Sequence, residues 1–196
     1  MGPPLALYLA PGSSSMAPHI ALNEVGAAFE VRPVSFARGG TGSPEFLAIN
    51  PEGKVPVLLA DGARLTEVAA ILYYLARRFP EAGLMPWGDP LAEAEAVSWM
   101  SFIASAVHPA RRQGLEASLA VWRLAELRLG DRDWALGRYS IADIHLFRLY
   151  WRFLVSLKPP AGAFPRLQEH HDRMMRRPAV NRTLEAEAAI GYELPS

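Results

Sequence analysis

This sequence predicts an α+β chain: a small mixed layer of strands and helices over residues 1–80, a linker over 81–90, and an all-helical part over 91–196. Three observations predict it. Strand-like and helix-like segments alternate through the first 80 residues. Pro80, Gly83, Pro86, Gly88 and Pro90 then crowd a short stretch with breakers. Beyond that stretch no segment shows the period-two alternation of a half-buried strand.

The elements follow in order. Leu5 to Leu9 is a short apolar run stopped by Pro11-Gly12, the pattern of a buried strand. Ser13, Ser14 and Ser15 offer N-cap residues to a helix carrying Ile20, Leu22 and Val25 and ended by Gly26. Phe29 to Val34 alternates apolar and polar, as a strand with one buried face does. Ser43-Pro44-Glu45 opens a short helix, with serine as cap and proline at the first helical position. Val55 to Leu59, a turn at Asp61-Gly62 and Arg64-Leu65 form a hairpin. Thr66 can cap the next helix, whose apolar side holds Val68, Ile71, Leu72 and Leu75. The first two strands, joined through a helix, are expected to be parallel, and the last two antiparallel. In the second half the apolar periodicity predicts helices over about 91–107, 115–129, 139–157, 164–177 and 180–189, with Pro159-Pro160 and Pro178 as breaks.

Composition narrows the function. Twenty basic residues balance 20 acidic ones, so no basic excess points to nucleic acid or an anionic membrane surface. No apolar run is long enough to span a bilayer. The opening Met1-Gly2-Pro3-Pro4 lacks the basic and then apolar pattern of a secretory signal, so a cytoplasmic location is expected. Cysteine is absent, which excludes disulfides, thiolate metal sites and a protein thiol nucleophile. His170 and His171 are adjacent on one predicted helix and do not share a face, so no metal site is expected there.

Four segments carry a resemblance. They are residues 7–22 (LYLAPGSSSMAPHIAL), 50–58 (NPEGKVPVL), 65–75 (LTEVAAILYYL) and 139–144 (YSIADI). Together, in order and at matching spacing over nearly the whole chain, they resemble the glutathione transferase family, most closely its bacterial beta class. The resemblance implies a thioredoxin-like glutathione-binding domain with a four-stranded mixed sheet and three helices over 1–80. It implies an all-α domain over 91–196, glutathione as co-substrate, no metal, and a homodimer.

It also implies roles for particular residues. Val55-Pro56 matches the family's cis-proline, which leaves the Val55 backbone free to pair with a bound tripeptide. Glu67 and Val68 match the start of the helix that receives the γ-glutamyl carboxylate, where unpaired N–H groups suit an anion. Val68 stands where the family has Ser or Gly. Lys54 adjoins this segment, and Arg38 is placed to meet the glycyl carboxylate. Ser14 aligns with the beta-class cysteine and Ser15 with the serine beside it. Serine cannot form a mixed disulfide, so the chemistry left is thiolate stabilisation by a hydroxyl, for conjugation to a small hydrophobic electrophile or for peroxide reduction. His108 aligns with a histidine that approaches the thiol in the beta class, and Arg111 and Arg112 beside it can bind an acidic group of the electrophile. Ser140 and Asp143 form an S-x-x-D capping box with a folding role. A glutathione-dependent isomerase and a non-catalytic glutathione-binding protein of the same fold are the alternatives.

Overall fold

A computed structural model describes residues 5–193. The reading of residues 1–4 as lacking a signal lies outside that range. The described residues form two compact units. One holds the chain up to Arg78 together with the residues from Pro178 onward; the other is Phe79–Arg177.

The first unit is built on a four-stranded mixed sheet in the order β2-β1-β3-β4. β1 (Leu5–Leu9) pairs in parallel with β2 (Phe29–Pro33) and antiparallel with β3 (Val57–Ala60), which pairs antiparallel with β4 (Ala63–Thr66). β1 is central and nearly fully buried, which its unbroken apolar run requires. The hairpin between β3 and β4 closes over Asp61 and Gly62, both at positive φ (52° and 80°), the turn chemistry expected of Asp-Gly. α1 (Met16–Glu24), α2 (Pro44–Leu47) and α3 (Val68–Arg78) complete the expected set. The Ser43 hydroxyl accepts from the Phe46 amide, so serine and proline open α2 as predicted.

Two local expectations are corrected. The residue that caps α3 is Glu67, not Thr66: Thr66 ends β4, and the Glu67 carbonyl accepts the first helical bond, from the Ile71 amide at 3.0 Å. The final helix, α9 (Pro178–Ile190), was assigned by its sequence to the helical half but belongs to the first unit. Its buried stripe of Ala179, Val180, Thr183 and Glu187 packs against α1. Periodicity identifies such a stripe but not the surface that receives it.

The second unit contains α4 (Pro90–Phe102), α5 (His108–Arg112), α6 (Leu115–Leu129), α7 (Ile141–Leu157) and α8 (Pro165–Met175). A π-helical turn over Ile103–Val107 joins α4 to α5 without a break. Pro109 supplies the reason: it has no N–H for the carbonyl one turn earlier, and its ring crowds that carbonyl, so the winding relaxes just before it. Only Gln113 and Gly114 separate α5 from α6, and Gly114 takes φ 98° and ψ −171°, a conformation essentially reserved to glycine. The core gathers Trp99, Ile103, Trp122, Leu146, Phe153 and Leu167. Among the described residues no helix is long and apolar enough to cross a membrane.

Candidate glutathione site and a cationic cluster

The turn between β1 and α1 contains the three serines. Ser15 is fully buried, and its hydroxyl folds back on the end of β1: it accepts from the Ala10 amide and donates to the Ala10 carbonyl, both at 3.1 Å. Ser13 Oγ lies 2.7 Å from Ser15 Oγ and accepts from the Ser15 amide. The two hydroxyls thus share one hydrogen bond. None of these hydroxyls caps α1 in the expected way; the Ser15 backbone is already helical there. The Ser14 hydroxyl is half-buried and has no hydrogen-bond partner among the described residues.

The turn is fixed from behind. Glu187 of α9 is fully buried; its Oε2 accepts from the Gly12 amide at 2.6 Å and its Oε1 lies 3.0 Å from His19 Nδ1. Gly12 sits at φ 72°, a left-handed conformation that favours glycine. An acid on the apolar stripe of a helix reads in sequence as an exposed residue, so nothing local in the sequence marks Glu187.

Val55 precedes a cis peptide bond to Pro56. The ladder of β3 with β1 begins at Val57, so the Val55 backbone lies beyond the last paired residue and neither neighbouring strand uses it. Glu67 is exposed and takes φ 65°, rare for a residue with a side chain. It stands at the head of α3, where the first amides lack intrahelical partners. Val68 is buried, 8% exposed, so its side chain belongs to the core and leaves its amide at the helix start. Lys54 is exposed and pairs with Glu52 at 3.1 Å. Arg38 is exposed on a turn whose Ser35 hydroxyl and Ala37 amide both donate to the Glu193 carboxylate, at 2.8 and 3.0 Å. Backbone and hydroxyl donors there hold the Glu193 carboxyl below the usual range.

In the second unit His108 is half-buried. Burial first, then the guanidiniums of Arg148, Arg112 and Arg111, push its imidazole down to about 4. At neutral pH it is uncharged, with one nitrogen donating and the other accepting. His145 is almost wholly buried and is pushed down to about 3 by burial, Arg148 and His108. Arg111 is half-buried and Arg112 exposed. Ser140 and Asp143 form the expected capping box, and Asp143 also meets His170 Nε2 at 3.0 Å. His170 is thus a structural partner. No group of metal-binding side chains occurs among the described residues.

His145 sets an acid limit on stability. Its folded pKa of about 3 lies below the ordinary histidine value near 6.5, so between those values the unfolded chain binds more protons. Stability then falls as pH drops through that window, by at most about 1.4 kcal/mol per pH unit from this residue. Melting curves for His145→Phe are expected to decline less than those of the native chain between about pH 6.5 and 5. Parallel curves would contradict the assignment.

A mixed four-stranded sheet with an unused backbone edge at Val55 and an open helix head at Glu67, followed by a helical unit, defines a thioredoxin-like domain with an all-α partner. Residues 3–77 match the family model for the glutathione S-transferase N-terminal domain, and residues 97–178 match the model for its C-terminal domain. Glutathione S-transferase GstA of Escherichia coli O157:H7 is 32% identical over 93% of this chain and 98% of its own. A maleylacetoacetate isomerase of Pseudomonas aeruginosa is 30% identical over 85% of this chain and 89% of its own. A sphingomonad glutathione S-transferase, solved in complex with glutathione, superposes with a TM-score of 0.83 at 35% identity, covering 93% of this chain and 98% of the other. The chain belongs to the glutathione S-transferase family.

Proposed function

We propose that the protein binds glutathione on its first unit and activates the thiol for conjugation to a small electrophile, with Ser14 as the activating hydroxyl. The Val55 backbone pairs with the tripeptide, the α3 amides and Glu67 take its γ-glutamyl end, and Lys54, Pro56 and Val68 shape the edge of the site. A free cysteine thiol titrates near 8.5, and about two units of depression correspond to roughly 2.7 kcal/mol of preference for the thiolate. A hydroxyl donor and the N-terminus of α1 together supply energy of that order. The thiolate sulfur attacks the electrophilic carbon, the leaving group departs with its electron pair, and the thiol proton passes to solvent. Arg38 is the reserve contact for the glycyl carboxylate, since the loop beside it already binds Glu193. A homodimer and a cytoplasmic location belong to the same reading; sedimentation velocity on the purified chain tests the dimer.

The observation that carries this reading is the division of labour among the serines. Ser13 and Ser15 spend their hydroxyls on the chain itself, while Ser14 keeps its own unspent. Ser14→Ala is therefore expected to bind glutathione, lose the ultraviolet thiolate absorbance of the bound tripeptide, and drop about 10–100-fold in kcat/KM, or about 1.4–2.7 kcal/mol. Ser15→Ala is expected to cost about 1–3 kcal/mol of stability by stranding the buried Ala10 groups. An unaltered thiolate signal in Ser14→Ala would sink the assignment.

A further inference from the structure

A second carboxylate reaches the first unit from beyond α9. Glu193 Oε1 and Oε2 accept from the Ser35 hydroxyl at 2.9 and 2.8 Å, and Oε2 also accepts from the Ala37 amide at 3.0 Å. The Phe36 amide and the Arg38 charge bear on the same carboxylate. Residues 35–38 form a turn whose donors converge on one anion. The Arg38 amide donates to Ser35 Oγ at 3.1 Å, leaving the hydroxyl proton for the carboxylate. The Gly39 and Gly40 amides close the turn on the Phe36 and Ser35 carbonyls at 3.0 and 2.7 Å.

The turn starts beside the candidate site. The Val34 amide donates to the Leu9 carbonyl at 2.7 Å, so the chain leaves β2 next to the residue from which β1 enters the serine turn. Val34 also belongs to the small core cluster against which Val55 packs. Burial separates the two acids of this region. Glu187 is fully buried, whereas Glu193 is only half-buried and Ala37 and Arg38 are exposed. A charge-assisted contact open to water is screened and readily exchanged for another of the same chemistry.

We propose that residues 35–38 are a carboxylate-binding cradle, and that Glu193 fills it as an internal competitor which an incoming ligand carboxylate must displace. The cradle is independent of the transferase reading; naming the incoming group as the glycyl carboxylate of glutathione rests on it. With Glu193 seated, only the fraction of molecules whose cradle is open can take that carboxylate, so the apparent affinity falls by that fraction. Residues 191–193 thus regulate tripeptide affinity.

Amide hydrogen exchange on the whole protein without glutathione, followed by mass spectrometry, reads the cradle. Glu193→Ala, at a position outside the core, should fold normally and exchange about fivefold faster over residues 34–40. Concentrated acetate should restore protection there, and chloride at equal ionic strength should not. No loss of protection, or a loss that acetate leaves unrepaired, overturns the cradle. Calorimetric titration with glutathione and with its glycinamide analogue, which lacks the glycyl carboxylate, reads the competition. Glu193→Ala should bind glutathione about fivefold tighter than the native chain does, with its affinity for the amide unchanged. Adding Ser35→Ala should erase that gain. Equal changes for the two peptides, or none for glutathione, overturn the competition. A chain whose protection follows Glu193 and acetate but which binds neither peptide sinks the transferase reading and leaves the cradle standing.

Discussion

Asp143→Ala is expected to remove about 3–5 kcal/mol of stability, measured as the shift in a urea unfolding midpoint at constant slope. The Asp143 carboxylate is fully buried and accepts from the Ala135 amide at 2.7 Å, the Ser140 amide at 2.8 Å and the Ser140 hydroxyl at 2.9 Å. His170 Nε2 completes the set at 3.0 Å. The bond at Ala135 has a second consequence, because the Ala135 carbonyl accepts from the Trp99 indole at 3.1 Å. One carboxylate therefore starts α7, closes the loop before it and ties that loop to the core. Alanine strands donors from three residues in a dry environment, which costs far more than one net hydrogen bond. Asp143→Asn should recover only part, since its amide nitrogen must face a donor whichever way it turns. A loss below about 1 kcal/mol for Asp143→Ala would show that the network relaxes around the gap.

The sequence announced this capping box in full, because S-x-x-D is a local signal whose geometry four consecutive residues determine. The strands and their pairing were legible for a similar reason. A buried β1 reads as an unbroken apolar run, and Asp61-Gly62 specifies its own turn. Other features depended on what the chain meets far along its length. Nothing in Ser13-Ser14-Ser15 says that the outer two hydroxyls turn back on the chain; that follows from the position of Ala10 at the end of β1. The destination of α9 was hidden because its stripe fits any apolar surface. Glu67 was found through its resemblance to family members. Its positive φ is a property of the fold that no propensity foretells, glutamate being a poor left-handed residue.

Glu187→Ala is expected to be equally severe in the first unit, about 3–5 kcal/mol, read from thermal and urea unfolding. The carboxylate lies in a fully buried position between the Gly12 amide and His19 Nδ1, and its loss removes the contact it makes with each. The effect should reach the chemistry as well. Gly12 begins the turn that ends in Ser13 and Ser14, so a variant still folded at low temperature should show a lowered kcat with glutathione retained. Glu187→Gln separates the two roles. It keeps an acceptor for Gly12 and should preserve the turn better than alanine does, while losing the charge that faces His19. A cycle with His19→Phe then isolates the pair: the double variant Glu187→Leu with His19→Phe should recover part of the stability lost by Glu187→Leu alone, because an apolar pair leaves fewer buried groups unmatched. Gly12 would still lack its acceptor in that double variant, so kcat should stay low after stability returns. If stability and kcat recover together, the Gly12 contact has no part in shaping the serine turn, and α9 serves only to cover α1.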